Sequence, residues 1–400
     1  MPSLLSMNGQ TAVVFSQNLL RWFDTFKRAL PWRVAYTPYA VWISEVMLQQ
    51  TQMERGVAYF DRWMRRFPDI ASVALADEDE IMKAWEGLGY YSRARNLHAA
   101  ARMIVREMGG VFPSDPDRIR ALPGIGEYSA GAIASVAFNL PVPAVDANVE
   151  RIFSRLCDID TPLKNAQTRR FIRDKVMELM PEGKARLFNQ ALMELGALVC
   201  SKKPDCARCP IPEFCEARRI GVQNERPAPG KKTEYSTLDV VTGLLCKDGK
   251  IFIQKRPEFG VWAGLWEFPG GCMEPGETPE EALLREFREE TELAVTITGK
   301  IGVVRHSYTT CRVTLHGFFC TAPALERGTE QGAASGMEAG ARSGEGPIIL
   351  HAASSGKWVT PAELRDCAFP AGSRKLLDLV EKAGWDNALP GQSSSGGLSG

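Results

Sequence analysis

Two carboxylates, Glu45 and Asp146, lie where the sequence could support acid–base chemistry. Glu45 is flanked by Ile43, Val46 and other apolar residues in a helical pattern over residues 39–51. Apolar surroundings desolvate a carboxylate and raise its pKa towards the range useful to a general acid. A lone glutamate more often faces solvent or pairs with an arginine, so that alternative stays open at this point.

Asp146 follows a glycine-bounded turn, Leu122 to Ala132, and stands at the end of an apolar run. Gly124 and Gly126 allow a tight backbone turn before a helix of small residues. Free N–H groups at such a helix start favour binding of a phosphate, so the turn is predicted to bind the phosphate backbone of a nucleic acid. A turn that only joins two packed helices is the alternative.

A second glycine-flanked helix start, Gly87 to Arg95, combines two tyrosines with two arginines. Tyr90 and its neighbours suit stacking on bases and contact with phosphates. An ordinary helix N-terminus with one packed tyrosine fits the pattern equally well.

Four cysteines lie within sixteen residues, at positions Cys200, Cys206, Cys209 and Cys215. Prolines between them constrain the turns, and thiolates at such spacing indicate a metal site. The soft ligands admit either a 4Fe–4S cluster or zinc, and spacing alone does not choose between them.

The length of 400 residues predicts two or three domains. The net charge is zero and the part before Glu225 is only mildly basic, which permits nucleic-acid binding without requiring it. No secretory signal and no apolar run long enough for a bilayer are evident, so we expect a cytoplasmic protein without membrane contact.

The periodicity of the chain changes from helical to alternating near residue 235. Before that point we expect an all-α domain, and after it a mixed α+β domain with a hairpin at 239–255, a helix at 280–291 and a strand at 312–320. The predicted segments are a helical domain over 1–199, a metal loop over 200–220, a linker over 221–236, the mixed domain over 237–382 with a disordered insertion over 323–347, and a disordered tail over 383–400.

The first part resembles the MutY-type adenine DNA glycosylases of the helix-hairpin-helix superfamily, which includes endonuclease III. The matching segments are Leu30 to Arg33, Trp42 to Gln52, Gly87 to Arg95, Leu122 to Ala132, Val145 to Val149, Phe188 to Ala191 and the cysteines. This resemblance implies excision of a flipped adenine from duplex DNA containing A:8-oxoguanine or A:G mispairs, by a monomer.

The resemblance also implies roles for single residues. Glu45 would protonate the adenine, and Asp146 would stabilise or capture the sugar cation, following the two-carboxylate logic of glycoside hydrolysis. Tyr128 and Asn148 would help to order the site, and the adenine pocket would contain Trp32, Arg33, Leu48 and Gln190. The residues that would contact the DNA are Gln49, Gln50, Thr51 and Tyr90, of which Gln50 and Tyr90 would enter the duplex. Gly124 and Gly126 would contact the DNA backbone.

Tyr128 stands where bifunctional members of the superfamily carry a lysine. Without that amine no Schiff base forms, so the expectation is a glycosylase that does not cut the strand. The cysteine pattern implies a 4Fe–4S cluster, although the interval between Cys200 and Cys206 is one residue shorter than in the family.

The second part is similar to Nudix pyrophosphatases, which in this family serve as a reader of 8-oxoguanine. The Nudix motif is nearly whole, from Gly271 to Leu293, with Glu292 in place of a glycine. Its acidic residues Glu286, Glu289 and Glu290 would bind Mg²⁺. The family's Phe-Ser-His reader motif appears as Tyr308-Thr309-Thr310.

Four hypotheses follow. The first is adenine excision; the second is excision of another base by an endonuclease III-like enzyme; the third is hydrolysis of oxidised nucleotides by the Nudix box, alone or beside glycosylase activity. The fourth is DNA binding without catalysis, which the presence of both Glu45 and Asp146 disfavours.

Overall fold

The computed structural model describes residues 9–230, 234–308, 310–323 and 348–385. Thr309, most of the predicted insertion, part of the predicted linker and nearly all of the predicted tail lie outside these residues. The described chain forms two compact units. The first contains residues 9–76 and 95–230, and the second contains residues 77–94 and the described residues after 233.

The first unit is all-helical, as predicted. The helices up to residue 219 are α1 Gly9–Phe26, α2 Pro38–Leu48, α3 Met53–Arg66, α4 Ile70–Leu75, α5 Glu78–Trp85, α6 Ser92–Met108, α7 Pro116–Arg120, α8 Glu127–Phe138, α9 Ala147–Leu156, α10 Ala166–Leu179, α11 Ala185–Leu198 and α12 Glu216–Arg219. Of these, α5 and the start of α6 belong to the second unit, and the others belong to the first. Short 3₁₀ turns cover Pro31–Arg33 and Pro212–Phe214.

Apolar side chains at helical spacing unite α1, α9, α10 and α11 in one core. Phe15, Phe153 and Phe188 are fully buried there. Burial of large aromatic side chains supplies much of the stability of such a core. The core fixes the start of α9, at which Asp146 lies.

The predicted helix-hairpin-helix turn joins α7 to α8. Asp115 caps α7 by accepting a hydrogen bond from the Arg118 N–H at 2.9 Å. Gly124 has a φ of +76°, a left-handed conformation that glycine adopts without strain. Gly124 and Gly126 are exposed, and α8 begins directly after them.

The second unit contains a mixed sheet. Its strands are β1 Ser236–Lys247, β2 Lys250–Lys255, β3 Trp266–Glu267, β4 Thr296–Tyr308, β5 Cys311–Thr321 and β6 Ser355–Val359, and its further helices are α13 Pro279–Thr291 and α14 Ala371–Ala383. The strand order is β3-β2-β1-β5-β4, and β6 also pairs with β2. Strands β1 and β5 are parallel, whereas the other paired strands are antiparallel.

Both faces of this sheet are covered. Val241 and Leu245 of β1 pack with Phe287 of α13, whereas Leu244 packs in a cluster with Leu377 of α14. Successive side chains of a strand point to opposite faces, so a strand covered on both sides is apolar throughout. This two-sided burial accounts for the run of consecutive buried residues from Val241 to Cys246 in β1.

The fold class and the elements predicted after residue 235 are confirmed: the hairpin is β1–β2, the helix is α13 and the strand is β5. The sequence patterns did not predict β4. Among the described residues, no helix is both long enough and apolar enough to span a membrane.

Candidate active site

Glu45 lies on α2 and faces a cavity of about 680 Å³. The helix begins at Pro38 after Thr37, whose hydroxyl accepts the Ala40 N–H at 3.3 Å. Neighbouring residues of α2, including Val41 and Ile43, are buried in the unit. The helix therefore anchors its apolar side chains in the core and carries one carboxylate to the cavity.

Burial raises the pKa of Glu45 to about 7. The Tyr128 hydroxyl donates a hydrogen bond to Glu45 Oε2 at 2.9 Å and lowers this pKa in part, whereas the negative charge of Asp146 raises it further. Burial also raises the pKa of Tyr128 well above its usual value, so the phenol stays protonated and acts as the donor.

Asp146 is the N-cap of α9 and lines the same cavity. Its Oδ1 accepts the Val149 N–H at 2.8 Å, and its Oδ2 accepts Asn148 Nδ2 at 2.7 Å. Burial raises the pKa of Asp146, while these hydrogen bonds and the nearby Arg151 favour its ionised form. The two carboxylates thus have different surroundings within one cavity.

Arg151 connects the Asp146 group to the cysteine loop. Its Nη2 donates to Asn148 Oδ1 at 2.7 Å and to the Gly196 carbonyl at 2.8 Å, and its Nε donates to the Cys200 carbonyl at 2.9 Å. A Cβ at Gly196 would lie 2.5 Å from the Asn148 Cβ, so only glycine permits this approach. The orientation of Asn148, and through it Asp146, depends on the position of the loop.

Glu194 of α11 also lines the cavity. It accepts hydrogen bonds from Arg28 Nε at 2.8 Å and Arg33 Nη2 at 3.0 Å. Burial would raise the pKa of Glu194, but the bonds from Arg28 and Arg33 outweigh it and lower the pKa to about 2. Arg33 Nε also donates to Gln190 Oε1 at 2.9 Å. Glu194 is therefore a fixed anion that holds Arg33 and, through it, Gln190.

Cys200, Cys206, Cys209 and Cys215 line another cavity in the first unit, together with apolar residues such as Ile152 and Val199. None of the four forms a disulfide. Buried Arg155 donates from Nη1 to Cys200 Sγ at 3.2 Å. Four free sulfurs that line one cavity, with a cation beside them, have the chemistry of a thiolate-ligated cluster, although in the described residues no three of them meet in a group that could hold a metal ion.

The acidic residues of the Nudix motif are divided between two groups. Arg285 donates to Glu277 at 2.7 Å, to Glu286 at 2.9 Å and to Glu289 at 3.1 Å. Glu290 instead accepts Gln254 Nε2 at 2.9 Å and the Gly270 N–H at 3.1 Å, and burial raises its pKa to about 7. In the described part of the chain, no three His, Cys, Asp or Glu side chains meet in a group that could hold a metal ion.

Two family models match separate parts of the chain. The HhH-GPD superfamily of base excision DNA repair proteins matches residues 43–179, and the NUDIX domain matches residues 240–379. The adenine DNA glycosylase of Rattus norvegicus is 33% identical over an alignment of 423 positions, which covers 92% of this chain and 78% of the relative. The chain belongs to the adenine DNA glycosylase family. It is a base-excision DNA glycosylase.

Two further proteins are similar to this chain. The adenine DNA glycosylase of Homo sapiens is 34% identical, covering 75% of this chain and 65% of its own length. A solved thermostable thymine-DNA glycosylase is 27% identical, with a TM-score of 0.49, and covers 53% of this chain and 98% of its own.

A DNA glycosylase must bind a base that has left the helical stack, so it needs a cavity for that base. The Glu45 cavity brings together most of the residues predicted to form the site. The predicted residues that line it are Trp32, Arg33, Glu45, Leu48, Gln49, Gln50, Thr51, Tyr128, Asp146, Asn148 and Gln190. Gly124 and Gly126 lie in the turn before α8 instead, and Tyr90 and Tyr308 belong to the second unit.

The sequence patterns missed three charged residues of this glycosylase cavity: Arg28, Glu150 and Glu194. Glu194 follows Gln190 by one helical turn on α11, and that spacing is the only signal that could have indicated it.

Proposed function

We propose that the protein removes adenine paired with 8-oxoguanine or guanine in duplex DNA by hydrolysing the N-glycosidic bond. The observation that supports this most strongly is the pair Glu45 and Asp146 in one cavity, with the pKa of Glu45 raised to about 7. The cavity volume of about 680 Å³ is ample for a purine base.

Glu45 acts as the general acid. A carboxyl group with a pKa of about 7 is partly protonated at neutral pH, so it can donate a proton to the leaving base. Protonation makes adenine a better leaving group because the bond electrons then leave with a neutral base. Tyr128 fixes the direction of the Glu45 carboxyl through its hydrogen bond.

Asp146 provides negative charge for the sugar, which becomes an oxocarbenium-like cation as the bond breaks. The Val149 N–H and Asn148 hold this carboxylate in one orientation. A pre-oriented anion stabilises positive charge in the transition state without reorganising during the reaction.

The chemistry ends at an abasic site because Tyr128 offers no amine for a Schiff base. Duplexes with A opposite 8-oxoguanine and A opposite G should become cleavable by alkali after incubation with the protein, while T opposite G should not. Without alkali, the adenine strand should stay intact. As a matched variant, Tyr128→Lys places an amine in the cavity and should permit strand cleavage without alkali. Nicking by the wild-type protein at a rate equal to base loss would contradict the proposal.

We infer that the four cysteines hold a 4Fe–4S cluster, whose role is structural. The hydrogen bonds of Arg151 support the structural role, because they connect the Cys200 carbonyl to Asn148 beside Asp146. Purified protein should contain about four iron atoms per chain. Cys206→Ser should reduce the iron content and the excision rate together, whereas Cys272→Ser, at an exposed cysteine outside the group, should change neither. Zinc in place of iron would overturn this assignment.

For the second unit we propose recognition of the DNA substrate rather than hydrolysis of a nucleotide. Arg285 donates hydrogen bonds to Glu277, Glu286 and Glu289, and its single positive charge offsets part of their negative charge. These contacts give Mg²⁺ binding no support. Magnesium-dependent hydrolysis of oxidised nucleotides by the Nudix motif stays an alternative. The monomeric state and the cytoplasmic location of the protein likewise stay predictions.

A further inference from the structure

A cleft of about 720 Å³ in the first unit carries more positive than negative side chains, and we call it the arginine cleft. The part of the chain before Glu225 is only mildly basic, so the cleft is a local concentration of positive charge. Lysines and arginines clustered on one face are typical of surfaces that bind nucleic-acid phosphates. The charged residues that line the cleft are the cations Lys164, Arg169, Arg170 and Arg173 and the carboxylates Glu127 and Asp174.

Helix α10 supplies three of the four cations. Its apolar residues Ile172 and Val176, one helical turn apart, are buried in the core of the unit. Arg169 and Arg173, likewise one turn apart, lie on a face that reaches the cleft. The helix begins at Ala166, which also lines the cleft, so the positive end of the helix dipole adds to the charge of the side chains.

The arginines of the cleft are accessible to a ligand. The Arg170 side chain is 87% exposed, and its Nε lies 3.9 Å from Asp174 Oδ2. Arg169 Nε lies 3.5 Å from Glu150 Oε1, and the Arg169 side chain is 57% exposed. Ion pairs as exposed as these contribute little to stability, so a phosphate can compete for the arginines. A guanidinium can also bind two oxygens of one phosphate at once.

The arginine cleft adjoins the Glu45 cavity. A smaller cavity of about 260 Å³ shares Tyr128 and Glu150 with the Glu45 cavity, and it shares Arg173 with the cleft. Glu127, the first residue of α8 after the hairpin turn, pairs with Arg173. The cleft therefore lies next to both the catalytic cavity and the turn that is predicted to bind the DNA backbone.

We propose that the arginine cleft binds phosphates of the strand that carries the adenine, beside the flipped nucleotide. This inference rests on the proposed function. When the adenine enters the Glu45 cavity, the phosphates on either side of its sugar stay outside, so the strand passes the surface next to that cavity. The arginine cleft is such a surface, and its charge is opposite to that of the strand. Phosphate contacts fix the position of a duplex but carry no sequence information.

The test uses Arg170→Gln, Lys164→Gln and the double variant, because both side chains are exposed. Arg169 and Arg173 stay in place, since each pairs with a carboxylate. Arg106→Gln, at an exposed arginine of α6 that does not line the cleft, is the matched control. Binding is measured over a series of salt concentrations, with duplexes that carry a non-cleavable 2′-fluoro-2′-deoxyadenosine opposite 8-oxoguanine, G or T.

The salt dependence of binding counts the phosphate contacts. Each single variant should lower the slope of log K against log salt concentration by about 1, and the double variant should lower it by about 2. Arg106→Gln should keep the wild-type slope. The loss of affinity should be equal on the three duplexes, because a phosphate contact does not read the base. At saturating enzyme, the single-turnover excision rate should equal that of the wild type, since neither Arg170 nor Lys164 lines the Glu45 cavity.

Duplexes with single methylphosphonates identify the bound strand, because this group replaces a charged phosphate with a neutral one. At a contacted position, a methylphosphonate should weaken binding by the wild-type protein and have no further effect on the double variant. We expect such positions on the adenine strand, near the flipped nucleotide. Coupling on the opposite strand alone, or an unchanged salt slope in the double variant, would overturn the inference.

The melting temperatures of the variants should equal that of the wild type, since the substituted side chains are exposed. A loss of affinity that accompanies a lowered melting temperature, with an unchanged salt slope, would count against phosphate binding. Absence of excision by the wild-type protein would refute the proposed function, while the salt slopes and the methylphosphonate coupling would still decide the role of the cleft.

Discussion

Replacing Glu45 with glutamine is expected to lower the rate of adenine excision about a hundredfold to ten-thousandfold, the usual contribution of a general acid. Glutamine keeps the shape of the side chain and can still accept the Tyr128 hydroxyl, so DNA binding and folding should persist. Single-turnover excision on an A:8-oxoguanine duplex measures the change. Glu182→Gln, at an exposed glutamate outside the cavity, is the matched control and should behave as the wild type.

The pH dependence gives this prediction a second readout. Burial raises the pKa of Glu45 to about 7, and a general acid must be protonated to act. The protonated fraction falls to roughly a tenth one pH unit above the pKa, so the excision rate should decline as pH rises through 7. The residual rate of Glu45→Gln should lack this decline. A wild-type rate that stays level between about pH 6 and pH 8 at saturating enzyme would exclude Glu45 as the acid.

Local signals explain which parts of the fold could be predicted. The helical period, the hairpin turn and the charged pattern of α13 are encoded in neighbouring residues, and each appears in the structure. Glu292, which stands where the Nudix motif has a glycine, ends α13 in the left-handed conformation with a φ of +57°. Strand β4 was missed because it is a sheet edge, largely exposed, with glycines that interrupt its alternation.

The site depends on contacts between distant parts of the chain. Tyr128 meets Glu45 across 83 residues, and Arg33 meets Gln190 across 157. No spacing rule connects such pairs, and the family resemblance indicated Tyr128 without indicating its partner. Glu194 was missed for a related reason: on α11 it occupies a position within an apolar pattern, and its spacing from Gln190 does not indicate its bonds with Arg28 and Arg33.

Asp146→Asn is the substitution that should separate charge from structure most cleanly. Asparagine caps a helix about as well as aspartate, so the Val149 N–H can keep its acceptor and α9 its start. The side chain loses the negative charge that faces the sugar. We expect the excision rate to fall about a thousandfold, comparable to removal of one pre-oriented electrostatic group from a buried site.

The substitution has a smaller structural cost that can be measured separately. Asn148 Nδ2 now donates to Asp146 Oδ2, and Arg151 fixes the other end of the Asn148 amide, so an amide nitrogen at position 146 would leave a donor unpaired. Such a loss costs about 1–3 kcal/mol of folding stability. Thermal unfolding should show this decrease.

Asn148→Ala is the matched comparison for Asp146→Asn, because it removes the same hydrogen bond while keeping the carboxylate. If the charge of Asp146 carries the chemistry, Asp146→Asn should lose far more activity than Asn148→Ala at similar stability. Equal losses in the two variants would mean that the hydrogen-bond chain from Arg151, rather than the negative charge, limits excision. Full activity in Asp146→Asn would show that the negative charge of Asp146 does not stabilise the sugar cation. Among the described residues that line the cavity, no other carboxylate both caps a helix and accepts a hydrogen bond from Asn148.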